Sequence, residues 1–148
     1  MTHKAQLPNI GHLVHLHMAH PVIFFDGVCN LCNAAVQFIL KHDRDGVFKL
    51  AALQSDAARQ LLAGKGIDAP TENSILLFEA DRIYTRSTAV LRIARKLKGG
   101  WRLLYVLILV PAVLRDYIYN LVARNRYRIW GKQQSCMLPA PEQQQRFL

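Results

Sequence analysis

The chain has 148 residues, of which 51% are hydrophobic and 20% are charged. This length fits one domain, and the composition excludes a disordered, collagenous or coiled-coil structure for most of the chain. Three cysteines do not form the even, dense set of a secreted disulfide framework. No signal peptide is visible, and the longest apolar run, residues 103–114, is shorter than the ~20 residues of a membrane-spanning helix. These features predict a cytoplasmic protein.

The net charge of +9 is concentrated in the C-terminal half of the chain. Residues 82–132 contain twelve Lys or Arg and a single acid, Asp116, which together give +11. Such a charge suits weak contact with an anionic surface, although basic side chains more often serve only as a solvated surface. No recognised nucleic-acid-binding motif accompanies the charge, so no nucleic-acid partner is expected.

Residues 1–20 carry five of the six histidines and are interpreted as a flexible, His-rich N-terminal extension. The five are His3, His12, His15, His17 and His20. Their imidazoles suit a transition metal, but the tract has no cysteine or carboxylate to complete a defined site. We expect residues 1–17 to be dispensable, because the first predicted strand begins only near Val22.

The hydrophobic pattern predicts a mixed α/β domain over residues 21–139, followed by a polar tail over residues 140–148. Strands are predicted at 22–25, 47–50, 74–78 and 83–85, and helices at 30–42, 55–63, 87–98, 101–110 and 112–125. A helix between strands implies a parallel crossover, and the later hairpin adds an antiparallel edge. Irregular structure is expected from Gly131 onward. This order predicts a thioredoxin-like fold, with a mixed four-stranded sheet flanked by helices and a C-terminal helical extension.

A C-x-x-C pair, Cys29 and Cys32, lies where the first predicted strand meets its helix. Positions i and i+3 share one face of a helix, so the two sulfurs can form a disulfide. The partial positive charge of the helix N-terminus stabilises a thiolate there. We therefore predict a thiol-disulfide oxidoreductase with Cys29 as the exposed nucleophile. Cys32, one turn into the helix and more buried, would resolve the mixed disulfide.

Two further roles for the cysteine pair stay open. The pair is half of a zinc site completed by Cys136 and by His42 or an N-terminal histidine, or it consists of two unreactive thiols. In either case the protein would be a basic α/β binding module. If the pair is redox-active, electrons pass through the two sulfurs and no bound cofactor is expected.

Asp26 precedes Cys29 by three residues and completes the candidate site. One role is structural, as a cap for the helix or as part of the Asp26–Gly27 turn. The other is catalytic, as a proton acceptor during thiol exchange, with a pKa raised by partial burial.

The stretch F-F-D-G-V-C-N-L-C at residues 24–32 resembles the motif of the DCC family, predicted thiol-disulfide oxidoreductases named for Asp-x-x-Cys-x-x-Cys. The resemblance covers about residues 22–139. Further matches follow in order: A-A-L-Q-S at 51–55; Ser87, Ala89 and Val90; Tyr119, Ala123, Asn125, Arg126, Tyr127 and Gly131; and Cys136 with Pro139. The family implies a thioredoxin-like fold and protein-disulfide reductase activity. Its substrate would be a disulfide-containing protein or a small thiol, and the reductant is unknown.

The chain departs from thioredoxin itself before the third strand, where Ser74 replaces the cis-proline that faces the disulfide. This replacement leaves the mode of substrate binding open.

Cys136 is predicted to have a packing role, with resolving or zinc-ligand chemistry as the alternatives. Tyr127 and Trp130 are interpreted as a last helical turn packed over the core. Arg126 is left open between packing and an anion-binding surface.

Overall fold

A computed structural model describes residues 20–68, 74–132 and 140–148. The predictions for residues 1–19, for Pro70 and for Cys136 with Pro139 lie outside these ranges. The elements are β1 (Val22–Phe25), α1 (Asn30–His42), β2 (Lys49–Ala52), α2 (Asp56–Ala63), β3 (Leu76–Glu79), β4 (Arg82–Thr85), α3 (Arg86–Lys96), a first 3₁₀ helix (Gly100–Leu109), α4 (Ala112–Trp130) and a second 3₁₀ helix (Pro141–Arg146).

The strands form a mixed four-stranded sheet in the order β2-β1-β3-β4, which confirms the predicted α/β fold of thioredoxin-like type. β1 and β2 are parallel, as the crossover through α1 requires. β3 is antiparallel to β1, so the helix between β2 and β3 does not make a second parallel crossover. The hairpin of β3 and β4 is antiparallel, as predicted.

Both faces of β1 are buried, and each faces its own hydrophobic cluster. Ile23 and Phe25 pack with residues of α1 and α3. Val22 and Phe24 pack with residues of α2. Because helices cover both faces, β1 is a continuous apolar run instead of an alternating one. Because β1 is packed on both faces, it holds the start of the loop that follows Phe25 in place.

β2 begins two residues later than predicted because the side chain of Asp43 holds the preceding turn. Its carboxylate accepts the backbone N–H of Val47 and of Phe48, each at 3.0 Å. These two residues were predicted as the start of the strand, but Asp43 takes their N–H groups.

α3 begins at Arg86, whereas the sequence predicted a helix capped by Ser87. The Ser87 hydroxyl does not cap the helix, because it donates to the carboxylate of Asp116 in α4. The segment predicted as a helix at 101–110 is the first 3₁₀ helix, which is unusually long for this class. α4 continues to Trp130, past the predicted end near 125, and stops where Gly131 adopts a φ of +85°.

The outer surface of the first 3₁₀ helix and α4 is strongly apolar. Among the described residues, every exposed large apolar side chain except Val90 lies between residues 101 and 130. Leu103, Leu109 and Val113 are 74%, 82% and 86% exposed. No helix within the described ranges is both long and apolar enough to cross a membrane.

Residues 140–148 were predicted as an irregular polar tail, but the segment contains a 3₁₀ helix and docks on the sheet. The Leu148 N–H donates to the Leu50 carbonyl at 2.8 Å, beside the free edge of β2. Phe147 packs edge-on against Phe25 in the core. Arg146 forms an ion pair with Asp43. The segment therefore covers a strand edge that would otherwise be open.

Candidate active site

The cysteine pair lies at the N-terminus of α1, directly after the turn that follows β1. Cys29 is the N-cap residue, and its Sγ accepts the backbone N–H of Cys32 at 3.4 Å. The Cys29 N–H donates to the Asp26 carbonyl at 3.3 Å, which closes the turn. Both cysteines are free thiols in this structure. The predicted i, i+3 arrangement is therefore present.

The predicted exposures of the two cysteines are wrong. Cys29 is fully buried, whereas Cys32 is half-buried. The cause is the chain at the end of α4, which folds over the start of α1. The Asn30 N–H donates to the Gly131 carbonyl at 3.3 Å, and Cys29 forms an isolated antiparallel bridge with Lys132. We call residues 130–132 the cover.

The side chain of Asn30 makes a second contact with the cover. Its Nδ2 donates to the Trp130 carbonyl at 2.8 Å. A Cβ atom at Gly131 would lie 3.1 Å from this nitrogen, and the φ of +85° also favours glycine. Asn30 and Gly131 thus hold the cover close to Cys29.

Asp26 is buried and lies at the centre of a hydrogen-bond network. Its Oδ1 accepts Gln54 Nε2 at 2.8 Å and the Val28 N–H at 3.2 Å. Its Oδ2 accepts the hydroxyl of Tyr127 and lies 3.4 Å from Nη2 of Arg126. Gln54 also accepts the Gly27 N–H at 3.0 Å, so it braces the turn.

The pKa of Asp26 is lowered, against the predicted increase. Burial raises this pKa, but hydrogen bonds from Tyr127, Gln54 and the Val28 N–H, together with the Arg126 charge, outweigh it. The carboxyl is therefore ionised at neutral pH. Its charge is balanced by Arg126, and Asp26 also shapes the turn, as the structural alternative predicted.

The pKa of the Cys32 thiol is raised to about 12. Burial is the largest cause, followed by the neighbouring Cys29 and, with opposite sign, the charge of Arg126. Cys32 therefore holds its proton at neutral pH. Its backbone N–H, by contrast, is directed at the Cys29 sulfur, where it would stabilise negative charge.

Sequence reasoning missed three partners of Asp26. Gln54, Arg126 and Tyr127 are 28, 100 and 101 residues away from it along the chain. Tyr127, interpreted as packing over the core, contacts Asp26 directly, and its pKa is raised by burial and by the hydrogen bond to Asp26. All three belong to the motifs that carry the family resemblance, and those motifs were the signal that could have placed them here.

Arg126 also lines a pocket of about 240 Å³ on the surface. The other lining residues are Arg86 at the start of α3 and Asn120, Ala123 and Arg124 on α4. The lining contains three arginines and no carboxylate. The pocket and the Asp26 network therefore share one buried residue, Arg126.

A zinc site is not assembled by the residues that the structure describes. Within residues 20–68, 74–132 and 140–148, no group of three or more His, Cys, Asp or Glu side chains is arranged to hold a metal. Cys136 and all the N-terminal histidines except His20 lie outside these ranges. His42 bonds the Phe38 carbonyl through Nδ1 at 2.8 Å, at the far end of α1 from the cysteines.

Comparison with known proteins identifies one family. Residues 23–132 match the model of the DCC1-like thiol-disulfide oxidoreductases. The uncharacterized protein YuxK of Bacillus subtilis (strain 168) is 45% identical over 127 residues, which cover 86% of this chain and 93% of that protein. A chloroplastic DCC family protein of Arabidopsis thaliana is 41% identical over 119 residues, or 80% of this chain and 69% of that protein. No solved structure matches.

Proposed function

Since this chain belongs to the DCC1-like thiol-disulfide oxidoreductase family, we propose that it reduces disulfides through Cys29 and Cys32. The observation that carries the proposal is the asymmetry of the pair. The Cys29 sulfur accepts a helix N-terminal N–H, whereas the raised pKa keeps Cys32 protonated. This asymmetry supports Cys29 as the nucleophile despite its burial.

In the proposed reaction, the Cys29 thiolate attacks one sulfur of the substrate disulfide. The substrate S–S bond breaks, a mixed disulfide forms on Cys29, and the first substrate thiolate leaves and takes a proton from water. Cys32 then loses its proton and attacks the Cys29 sulfur. The Cys29–Cys32 disulfide forms and the second substrate thiol leaves, so two electrons pass from the protein to the substrate. A thiol reductant restores the dithiol.

The proton of Cys32 is proposed to pass to the departing substrate sulfur, which leaves as a thiol. Asp26 acts on Cys32 through the charge of its carboxylate, which raises the pKa of that thiol. Because its own pKa is lowered, Asp26 is a weak proton acceptor, and its proposed role is to shape the turn and to balance the charge of Arg126.

Burial of Cys29 requires the cover to move before a disulfide can reach the sulfur. The cover is held by two hydrogen bonds from Asn30 and by a bridge of one residue pair, which is a small number of contacts. We therefore assign substrate access to local opening of residues 130–132.

The proposed substrate is a disulfide-containing protein or a small disulfide, and no bound cofactor takes part. The proposed location is the cytoplasm, where thiol reductants keep such a pair reduced. The test is reduction of insulin or of a model disulfide with dithiothreitol as the reductant. Cys29→Ser should abolish catalysed turnover, whereas Cys136→Ser, outside the pair, should keep it. Full turnover in Cys29→Ser would contradict the proposal.

We also propose that the apolar outer face of the first 3₁₀ helix and α4 rests on an anionic bilayer surface. On α4 the exposed side chains repeat every four residues, as Val113, Tyr117 and Leu121 and as Leu114, Ile118 and Val122. Exposed Arg102 and Arg128 accompany this face.

Charge decides between an anionic bilayer and a second copy of the chain as the occupant of this face. Residues 100–132 contain one acid, Asp116, and its carboxylate is engaged by Ser87. Two copies meeting at this face would bring arginines together, whereas anionic headgroups would neutralise them.

A further inference from the structure

The arginine-lined pocket beside Asp26 joins the candidate active site to the protein surface. Arg126 is 94% buried, since 6% of it is exposed, and it contributes both to the Asp26 network and to the pocket lining. Arg86 and Arg124, which also line the pocket, are exposed to solvent. A molecule in the pocket would therefore contact groups that reach the redox centre.

Two of the three arginines that line the pocket have no ion-pair partner among the described residues. Arg126 is balanced by Asp26. The side chains of Arg86 and Arg124, by contrast, make no hydrogen bond or ion pair with any residue in 20–68, 74–132 or 140–148. The side chain of Asn120 adds a neutral polar group. A concave site with two unbalanced guanidinium groups favours an anion, and the planar fork of arginine matches a carboxylate or a phosphate.

Arg126 links the pocket to the turn of the cysteine pair through direct contacts. Its Nη2 lies 3.4 Å from Asp26 Oδ2, and the Asp26 carbonyl accepts the Cys29 N–H at 3.3 Å. The charge of Arg126 also lowers the pKa of Cys32. An anion in the pocket would therefore contact the residue that pairs with Asp26 beside Cys29, which favours a small molecule that carries an anionic group and a disulfide on one short chain.

We propose that this pocket binds the carboxylate of a small disulfide substrate and so positions its S–S bond for Cys29. The inference rests on the proposed function and specifies its substrate class. A cavity of about 240 Å³ is large enough for a carboxylate on a short chain. Reduction of the bound disulfide consumes the protein dithiol, forms the Cys29–Cys32 bond and releases two substrate thiols.

The first test is a single-turnover reaction in which the reduced protein is itself the reductant. Dithiodipropionate, which has two carboxylates, is compared with hydroxyethyl disulfide, a neutral compound of similar size. The rate of each disulfide with the protein is divided by the rate of the same disulfide with free dithiothreitol. This ratio removes the difference in intrinsic reactivity between the two disulfides. The native protein should favour the dicarboxylate. Arg86→Gln and Arg124→Gln should each lower this preference by about tenfold, as expected for loss of one charge-assisted contact.

Arg44→Gln is the matched control, because Arg44 is exposed and lies past the end of α1 opposite to Cys29. It removes the same charge from the molecule without touching the pocket, and its preference should equal that of the native protein. An equal loss in all three variants would show a general effect of net charge and would overturn the proposal. Equal rates for the two disulfides in the native protein would also overturn it.

The second test separates this inference from the redox proposal. Thiodipropionate is a thioether with the same two carboxylates and cannot be reduced, so its binding is measured by NMR titration. It should bind the native protein and Arg44→Gln equally well. It should bind Arg124→Gln about tenfold more weakly, because one charge-assisted contact is lost. If this pattern appears while neither disulfide is reduced, the pocket stands and the redox function fails. Tighter binding of inorganic phosphate than of thiodipropionate would overturn the assignment to a carboxylate.

Discussion

At the scale of single residues, the site depends on a buried carboxylate that is kept charged. Asp26 was predicted from its position before the cysteines, but its partners were not, because Gln54, Arg126 and Tyr127 come from distant parts of the chain. Spacing along a sequence reports which residues share a turn or a helix face. Spacing does not report contacts between residues so far apart in the chain. For these contacts, the motifs shared with the family were the available signal.

The Asp26–Arg126 pair predicts a large effect of Asp26→Asn on stability. Both side chains are 7% exposed, and the substitution leaves the buried Arg126 charge without its counter-ion. The free energy of unfolding should fall by about 3 kcal/mol in chemical denaturation at neutral pH. Asp45→Asn is the control, because its ion pair with Lys98 is exposed and should contribute less than about 1 kcal/mol.

The same carboxylate predicts how stability depends on pH. Its pKa in the folded protein lies below the ordinary value of 3.8, so ionised Asp26 stabilises the fold above that value. This contribution is lost as pH falls through the folded pKa. The stability difference between the native protein and Asp26→Asn should therefore shrink below about pH 4. A difference that stays constant in acid would contradict the lowered pKa.

The raised pKa of Cys32 predicts a distinct alkylation profile for this residue. In the reduced native protein, iodoacetamide labelling of Cys32 should be slow at neutral pH, because the thiolate is the reactive form. The rate should keep rising up to about pH 10 without a plateau, whereas an unstructured cysteine peptide levels off once its thiol is ionised. Peptide mapping by mass spectrometry separates Cys32 from Cys29. A plateau below about pH 9 would contradict the assignment.

At the scale of elements, the order of strands and helices followed from hydrophobic periodicity, but several ends did not. The Asp43 carboxylate displaced the start of β2, and Asp116 took the Ser87 hydroxyl from the start of α3. Each shift comes from a side chain that competes for a backbone or capping group. The burial of Cys29 has the same kind of cause, since the end of α4 covers it, and no local pattern around residue 29 records that contact.

The cover predicts that the reactivity of Cys29 is limited by local opening. Asn30→Ala removes the hydrogen bond from Nδ2 to the Trp130 carbonyl and should loosen residues 130–132. Labelling of Cys29 by a bulky thiol reagent should become about fivefold faster, the effect of one hydrogen bond on an opening equilibrium.

Asn125→Ala is the matched control for this prediction. Asn125 also donates from Nδ2 to a carbonyl, at 2.7 Å, but its partner is Leu121 within α4. Its removal should leave the labelling rate of Cys29 unchanged. If Asn30→Ala behaves like this control, the cover does not limit access to Cys29.

At the scale of the whole molecule, the sheet architecture was predictable, whereas the last residues of the chain were not. Residues 140–148 are mostly polar, so the sequence suggested a tail. Two apolar residues, Phe147 and Leu148, and the ion pair of Arg146 dock this segment on the sheet and on the turn before β2. The apolar run at 103–114 was interpreted as a buried or an interfacial helix, and the structure exposes most of it.

This apolar face predicts binding to anionic vesicles. The protein should sediment with vesicles that contain phosphatidylglycerol and remain in solution with pure phosphatidylcholine, and salt should weaken the binding. The double variant Leu109→Gln, Val113→Gln should bind several-fold more weakly, because these are the most exposed apolar side chains of the face. Ala34→Gln, at an exposed position on α1, is the control and should bind as the native protein does.

The proposed bilayer contact is contradicted if the double variant sediments with the vesicles like the native protein. A concentration-dependent dimer that is lost in the double variant, without vesicle binding, would assign the face to a second copy of the chain. Light scattering after gel filtration measures the oligomeric state directly.

The most direct test of the central claim is to map the bond that forms when the reduced protein meets one equivalent of a disulfide substrate. Peptide mapping by mass spectrometry identifies which sulfurs are joined. We expect an internal Cys29–Cys32 disulfide together with two equivalents of released substrate thiol. In the Cys32→Ser variant, the substrate should instead remain attached to Cys29. A bond that joins either cysteine to Cys136, or a protein that retains zinc at the pair and releases no thiol, would contradict the account.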